Sequence, residues 1–163
     1  MSQDLKIHDL AKQIIAKASA AGLTICTAES CTGGLIAAAL TDIPGASNVI
    51  DRGFITYSNE AKAEVLGVPE VLIKTHGAVS NDVAAAMATG ALERAKTDIS
   101  LSVTGIAGPG GGTAEKPVGL VWFGLALKGG ESQTAHYLFG NHSRETIRQK
   151  SVYTALSLIL EKI

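Results

Sequence analysis

The sequence predicts an α/β protein, built as a three-layer α/β/α sandwich around a mixed sheet. Short apolar, β-branched segments alternate with helical segments through the first two thirds of the chain. Two more apolar segments then follow with only Gly129-Gly130 between them, which is typical of an antiparallel hairpin. With 163 residues, 46% of them hydrophobic, the chain can bury a sizeable core, and we expect one domain over residues 1–163.

Helices are predicted where apolar residues recur at the helical period or a capping residue starts the segment. In order along the chain they cover residues 4–21, 33–40, 59–67, part of 68–77, 81–96 and 143–163. Gly22 follows the first helix, where a left-handed cap residue is favoured. Ser58, Ser80 and Ser143 precede later helices, because a serine hydroxyl can accept a hydrogen bond from a free N–H group of the first turn.

Strands are predicted at short segments rich in β-branched and apolar residues. In order they are 23–28, 49–57, 99–104, 118–127 and the segment 132–139. The Pro-Gly pair at 44–45 marks a turn before the second strand. The predicted order is therefore α-β-α-β-α-α-α-β-β-β-α.

Charge and composition argue against several classes of function. The formal net charge is −1 and aromatic residues make up only 4%, so the chain lacks the basic and stacking surfaces of nucleic-acid binders. Apolar runs are far shorter than a membrane span, and the first residues do not resemble a signal peptide. We expect a soluble, cytoplasmic protein with no nucleic-acid or membrane partner.

The stretch AESCTGG at 28–34 is the first candidate for chemistry. It lies between a predicted strand and a predicted helix, at the sheet edge where α/β folds bind ligands. Free N–H groups at such a turn can bind an anion or a developing oxyanion. The turn resembles a nucleophile elbow, although GxSxG is absent. A purely structural N-cap with two packing glycines explains the same residues equally well.

A nucleophilic serine needs a base, and the histidines do not supply one. His8, His76, His136 and His142 form no triad or metal-ligand pattern. Lys62 in YSNEAK, one turn into a predicted helix, is the other candidate. A lysine shielded from water has a lowered pKa and can take the proton of a serine hydroxyl. An exposed helix lysine remains the alternative.

Two further features are less specific. The glycine-rich loop 105–117 follows a strand but carries neither GK[ST] nor GxGxxG, so a plain surface loop is as good an interpretation. Arg144 stands at a helix start, where the helix dipole does not favour a cation, and could clamp a phosphate or carboxylate. Cys26 and Cys31 fit neither a redox motif nor a disulfide framework, and we expect partly buried, reduced thiols.

Taken together, the motifs are far more specific. AESCTGG, GFITYSNEAKAEVLGV, HGAVS, SVTGIAGPGGG, EKPVGLVWFGLA and SRETIR occur in this order. The chain thereby resembles the CinA C-terminal domain family (competence- and damage-inducible protein) in its stand-alone form, from about residue 6 to the end. The resemblance implies an α/β/α sandwich with a mostly parallel sheet, and a homodimer or higher homo-oligomer. It implies hydrolysis of the carboxamide of nicotinamide mononucleotide to nicotinic acid mononucleotide and ammonia, without metal or organic cofactor.

The resemblance also assigns roles to residues. Ser30 would be the nucleophile, Lys62 its base, and Tyr57 would orient the pair or the amide. The residues expected to supply backbone N–H groups for the oxyanion are Thr32, Gly33 and Gly34. The residues expected to bind other parts of the substrate are Thr104, Gly105 and Arg144. This chain has GNHSR where the family often has GDR, so Arg148 is the alternative clamp.

Two alternatives stay open at this point. In larger family members the domain is fused to a second one and can be a catalytically silent module for nucleotide binding or assembly. The other alternative keeps an enzyme but makes Cys31 the nucleophile, although no histidine is available to activate its thiol.

Overall fold

The computed structural model describes residues 2–163 and contains the predicted elements in the predicted order. The helices are α1 Gln3–Ala21, α2 Leu35–Thr41, α3 Asn59–Leu66, α4 Glu70–His76, α5 Asn81–Ala95 and α6 Arg144–Leu160, with a short 3₁₀ helix at Ala46–Asn48. The strands are β1 Ile25–Glu29, β2 Ile50–Ile55, β3 Ile99–Gly105, β4 Leu120–Leu127 and β5 Gln133–Leu138. Most boundaries agree with the prediction to within about two residues.

The predicted caps are present. Gly22 ends α1 in the left-handed conformation, with φ of 66°. The hydroxyls of Ser58, Ser80 and Ser143 each accept a hydrogen bond from the N–H three residues on. These local signals explain why the sequence located the helix starts well.

The five strands form one mixed sheet in the order β2-β1-β3-β4-β5. Strand β1 pairs in parallel with both β2 and β3, while β4 pairs antiparallel with β3 and β5. The central strands β1 and β3 are buried along nearly their whole length, whereas β2, at the edge of the sheet, is largely exposed. The predicted α/β/α sandwich with a mixed sheet is confirmed.

Helices cover both faces of the sheet. On one face, α1, α2 and α6 pack over a core that includes Ile14, Ile36 and Ile147. On the other, α5 lies directly on the sheet and is flanked by α3 and α4. Gly124 permits this close contact, because a Cβ there would overlap the Ala84 carbonyl of α5.

The topology brings three loops to one edge. Strands β1, β2 and β3 run in parallel, so the segments that follow Glu29, Ile55 and Gly105 lie side by side. Ligand sites of α/β proteins form at this edge. Within residues 2–163, no helix has the length and apolar character needed to cross a bilayer.

Candidate active site

Ser30 is the first residue after β1 and is firmly held. Its N–H donates to the Val103 carbonyl of β3 at 3.0 Å, so the parallel sheet fixes the backbone of the residue. Only 8% of Ser30 is exposed. Its hydroxyl therefore lies at the sheet edge with little access to bulk water.

Lys62 brings its amine to this hydroxyl from α3. The Nζ atom lies 3.0 Å from Ser30 Oγ, 3.0 Å from the Thr56 carbonyl oxygen and 3.3 Å from the Tyr57 carbonyl oxygen. The lysine is 1% exposed, so the exposed-lysine alternative is wrong. Within residues 2–163, no carboxylate oxygen lies within 4.0 Å of Nζ.

The surroundings of Lys62 make its neutral form easier to reach than in a solvated lysine. Burial lowers the pKa of its amine, because the charged form loses its hydration. A neutral amine has two N–H donors and one lone pair. The carbonyls of Thr56 and Tyr57 can accept the two N–H groups, which leaves the lone pair for the hydroxyl proton of Ser30.

Glu29 is a residue of the site that the sequence did not assign. Its carboxylate is completely buried. It accepts hydrogen bonds from the hydroxyls of Thr27 at 3.2 Å and Thr32 at 2.7 Å, and from the N–H groups of Ile36 and Ala37 at 2.9 Å. Glu29 therefore ties the turn after Ser30 to the start of α2. The four hydrogen bonds to this buried carboxylate compensate for the hydration that it loses on burial.

The turn from Ser30 to Gly34 presents backbone donors. Gly33 and Gly34 have positive φ values of 59° and 99°, which explains the paired glycines. The Gly33 N–H already donates to the Ser30 carbonyl at 3.0 Å. Among residues 2–163, no acceptor is bonded to the N–H groups of Cys31, Thr32 and Gly34. Cys31 and Thr32 are buried, so the partly exposed Gly34 carries the most accessible of these donors.

Arg144 links Tyr57 to the glycine-rich loop. One Arg144 nitrogen donates to the Gly108 carbonyl of the glycine-rich loop at 2.9 Å, and another donates to the Tyr57 hydroxyl at 2.8 Å. The Tyr57 side chain is 60% exposed. The arginine thus connects the start of α6, the glycine-rich loop and the segment after β2.

Arg148 is bound elsewhere, one turn further along α6. It donates to the carbonyls of Cys31 and Thr32, both at 3.1 Å. The two arginines that the sequence offered as alternative clamps therefore contact different loops. Arg144 faces the glycine-rich loop, and Arg148 holds the turn after Ser30.

Thr104 and Gly105 end strand β3 beside this turn. The Thr104 hydroxyl donates to the Ala78 carbonyl at 2.9 Å, and the residue is 1% exposed. A Cβ at Gly105 would come within 3.0 Å of the Leu120 carbonyl oxygen. Both residues thus also have a packing role at the β3 end of the site.

Cys31 is inaccessible as a nucleophile. It is 5% exposed, and burial raises the pKa of its thiol to about 12. Thiolate is the reactive form of cysteine, and very little of it exists near neutral pH at such a value. The structure argues against the alternative in which Cys31 attacks the substrate.

A family model for the CinA C-terminal domain matches residues 7–163. The chain belongs to the CinA C-terminal domain family. The resemblance inferred from the motifs is confirmed over nearly the whole sequence.

Curated relatives in this family are of two lengths. The nicotinamide-nucleotide amidohydrolase PncC of Enterobacter agglomerans is 50% identical over 96% of this chain and 95% of its own. The PncC of Escherichia coli K12 is 45% identical over 98% and 96%. The CinA-like protein of Akkermansia muciniphila is 49% identical over 93% of this chain, which spans only 36% of that longer protein.

A solved structure from the family has the same fold. The competence/damage inducible protein CihA of Agrobacterium tumefaciens superposes with a TM-score of 0.94 at 49% identity, over 96% of this chain and 94% of that one. The fold of this chain therefore agrees with an experimental structure of the family over nearly its whole length.

The roles of Glu29 and Arg148 escaped sequence reasoning for different reasons. A signal for Glu29 existed: an acid at the end of a buried strand must find donors, and Thr32 follows three residues later. No local signal exists for Arg148, because its partners lie 116 and 117 residues earlier in the chain.

Proposed function

We propose that the chain is a nicotinamide-nucleotide amidohydrolase. It converts nicotinamide mononucleotide to nicotinic acid mononucleotide and ammonia, as a step of pyridine nucleotide salvage. The main support is the buried contact of 3.0 Å between Lys62 Nζ and Ser30 Oγ, with no carboxylate near the amine among residues 2–163. The names of the stand-alone relatives supply the substrate class.

In the first half of the reaction, Ser30 Oγ attacks the carboxamide carbon. The neutral Lys62 amine takes the hydroxyl proton as the new C–O bond forms. The carbonyl oxygen becomes an oxyanion, for which the partly exposed Gly34 N–H, without an internal acceptor among residues 2–163, is the nearest backbone donor of the turn to solvent. The C–N bond then breaks, and the Lys62 ammonium returns its proton to the departing nitrogen, which leaves as ammonia.

The second half regenerates the enzyme. Lys62, neutral again, takes a proton from a water molecule that attacks the acyl carbon bound to Ser30. Collapse of the second tetrahedral intermediate breaks the bond to Ser30 Oγ and releases the carboxylic acid product, which then loses its proton to solvent. Ser30 recovers its proton from Lys62, so protons balance without a metal or another cofactor.

The remaining site residues bind the substrate in this proposal. Tyr57 orients the amide, assisted by its hydrogen bond from Arg144. Arg144 also supplies a cation for the ribose phosphate beside the glycine-rich loop. Thr104 and Gly105 line the β3 side of the same space.

Family resemblance alone supports two further parts of the proposal. The protein acts in the cytoplasm, and it forms a homodimer or a higher homo-oligomer. Size-exclusion chromatography with light scattering measures the oligomeric state, and a monomer at micromolar concentration would contradict the second part.

The test is ammonia release from nicotinamide mononucleotide, without added metal, by the wild-type protein and Ser30→Ala. We expect release by the wild type and at least a 10³-fold lower rate for the variant, with an unchanged melting temperature. Full activity of Ser30→Ala would overturn the mechanism. No release by either protein, together with tight nucleotide binding, would support a catalytically silent binding module.

A further inference from the structure

We propose that Lys116 is a second phosphate-binding residue of the active site, and that it binds the phosphate of the nucleotide substrate together with the free N–H groups of Gly110, Gly111 and Gly112. The inference rests on the proposed function, because it names a subsite for that substrate. Its basis is a half-buried ammonium group that has no ion-pair partner among residues 2–163 and lies beside the β3 end of the site.

The amine of Lys116 is held by a carbonyl group and not by an acid. Its Nζ atom donates to the His76 carbonyl at the end of α4. In the part of the chain that the structure describes, no carboxylate oxygen lies within 4.0 Å of this nitrogen. The acid nearest to His76, Asp82, instead faces the imidazole Nδ1 at 3.8 Å. An ammonium has three N–H donors, so two of them stay available to an anionic ligand.

The segment that holds this amine is bound to the strand end beside the nucleophile. The Ala78 carbonyl, two residues beyond the one that accepts from the lysine, accepts a hydrogen bond from the Thr104 hydroxyl at 2.9 Å. Thr104 follows Val103, whose carbonyl accepts the N–H of Ser30 at 3.0 Å. The ammonium group therefore lies on a wall of the active site, on the β3 side of Ser30.

The glycine-rich loop adds backbone donors that a ligand can reach. Within residues 2–163, no acceptor is bonded to the N–H groups of Gly110, Gly111 and Gly112, and all three residues are exposed. The loop folds back on itself, because the Thr113 N–H donates to the Lys116 carbonyl at 2.8 Å and the Thr113 hydroxyl accepts from the Lys116 N–H at 3.0 Å. The free donors thus adjoin the turn that carries the lysine. Backbone N–H groups of such turns bind phosphate oxygens.

The charge of the substrate favours a second cation. A phosphate monoester carries a charge of about −1.5 to −2 near neutral pH, and the proposed function supplies one arginine for it. Arg144 contacts the loop at Gly108, which precedes the free donors in the chain, and Lys116 follows them. One cation before the exposed donors and one after them match the charge of the phosphate, and each makes its hydrogen bonds to the phosphate charge-assisted.

A structural role for Lys116 is the competing explanation. A lysine that donates to the last carbonyl of a helix stabilises that helix end. Loss of a purely structural lysine would affect every substrate alike, whereas loss of a phosphate ligand affects only substrates that carry a phosphate. Substrates with and without this group therefore separate the two roles.

The test compares nicotinamide mononucleotide with nicotinamide riboside, which lacks the phosphate, in ammonia-release assays. We expect Lys116→Met to raise KM for the mononucleotide about tenfold with kcat changed less than threefold, and to leave kcat/KM for the riboside within twofold. The matched control is Lys74→Met, which removes an exposed cation from the last turn of α4 and should leave both constants within twofold. An unchanged KM, or an equal loss with both substrates, would overturn the inference.

Lys116→Gln guards against a folding defect. The amide is polar enough for a half-buried position but carries no charge, so KM for the mononucleotide should still rise about tenfold at an unchanged melting temperature. A wild-type KM in Lys116→Gln would overturn the inference even if Lys116→Met failed to fold.

Inhibition by ribose 5-phosphate gives a readout that does not require the riboside to be hydrolysed. We expect its competitive inhibition constant to be about tenfold higher in Lys116→Gln than in the wild type, and equal constants would overturn the inference. If the wild type releases no ammonia from nicotinamide mononucleotide, the proposed function fails. If it does and both lysine variants match it, only the inference about Lys116 fails.

Discussion

Charged side chains have opposite environments at the two ends of the parallel strands. At the amino ends of β1 and β3, Asp98 accepts hydrogen bonds from the N–H and the hydroxyl of Thr24, both at 2.9 Å, and Lys128 lies 3.7 Å away. At the carboxyl ends, Lys62 is buried against Ser30 without a carboxylate within 4.0 Å among residues 2–163. Lys128 is exposed and lies next to a carboxylate, whereas Lys62 is buried and has no carboxylate as an ion-pair partner among residues 2–163.

The difference separates a structural network from a reactive one. Hydrogen bonds from Thr24 lower the pKa of Asp98, so this acid stays charged and joins two strands. Burial lowers the pKa of Lys62, so at a given pH more of this amine is in the form that can accept a proton than for a solvated lysine. A buried amine without an ion-pair partner lowers the stability of the fold. The need for a general base at this site is a physical reason for the amine to be present there.

Removing the Lys62 amine should have the largest effect. We expect Lys62→Met to lower kcat about 10³-fold, because the general base is lost. The free energy of unfolding should change by no more than about 2 kcal/mol, since the lost hydrogen bonds to two carbonyls are offset by the removal of a buried amine. Ammonia release and urea unfolding measure the two quantities.

Lys128→Met is the matched control at the other end of the sheet. This lysine is exposed, so its loss should leave kcat unchanged and stability within about 0.5 kcal/mol. If Lys62→Met and Lys128→Met changed kcat equally, the carboxyl end of the parallel strands would not be the reactive end.

Glu29→Gln should affect both stability and activity. The amide NH₂ group would face at least one of the four donors that now surround the carboxylate, leaving donors unpaired. We expect the free energy of unfolding to fall by about 2 kcal/mol, which corresponds to a fall of roughly 4–8 °C in Tm for a chain of this size. We also expect kcat to fall about tenfold, because the turn after Ser30 loosens. Wild-type kcat and Tm would show that Glu29 does not hold the turn.

Arg144→Met should raise KM with little change in kcat. The proposal assigns this guanidinium to the substrate phosphate, and a charge-assisted contact of about 2 kcal/mol corresponds to roughly 30-fold in affinity. Initial rates over a range of nicotinamide mononucleotide concentrations separate the two constants. A fall in kcat at unchanged KM would instead assign Arg144 to the chemical step.

Asp98→Asn should have the smallest effect, confined to stability. Because the folded state lowers the pKa of Asp98, its contribution is full above the unfolded pKa and is lost as pH falls through the folded pKa. We expect a loss of at most about 1 kcal/mol at pH 7, which disappears well below pH 3.8. Urea unfolding of the variant and the wild type, at pH 7 and well below pH 3.8, measures this difference in free energy. A difference that persists at the acidic pH would contradict the account.

The sequence predicted most of the fold because the signals are local. Capping serines, Gly22 and short β-branched segments specify where elements begin and end. Strand order and register depend instead on contacts between distant segments, such as Ser30 with Val103, and no pattern within one segment encodes them.

The site was predicted in part for the same reason. Ser30 and Lys62 stand in motifs that family resemblance made recognisable, but the burial of Lys62 depends on how α3 packs against α4 and α5 and on the contact of its amine with Ser30. The sequence left Arg144 and Arg148 as alternatives because both lie in the first turns of α6. Only the packing of that helix against two different loops separates them.

The most direct test of the central claim is an NMR titration of Lys62, following the ¹³Cε shift of labelled lysines with Lys62→Met for assignment. The account predicts a midpoint below 10.5, the ordinary value of a lysine side chain, because burial disfavours the ammonium form. The pH dependence of kcat/KM should then rise through the same midpoint, since the base must be neutral. A midpoint at or above 10.5 would mean that burial does not favour the neutral amine, and would contradict the role of Lys62 as the base that activates Ser30.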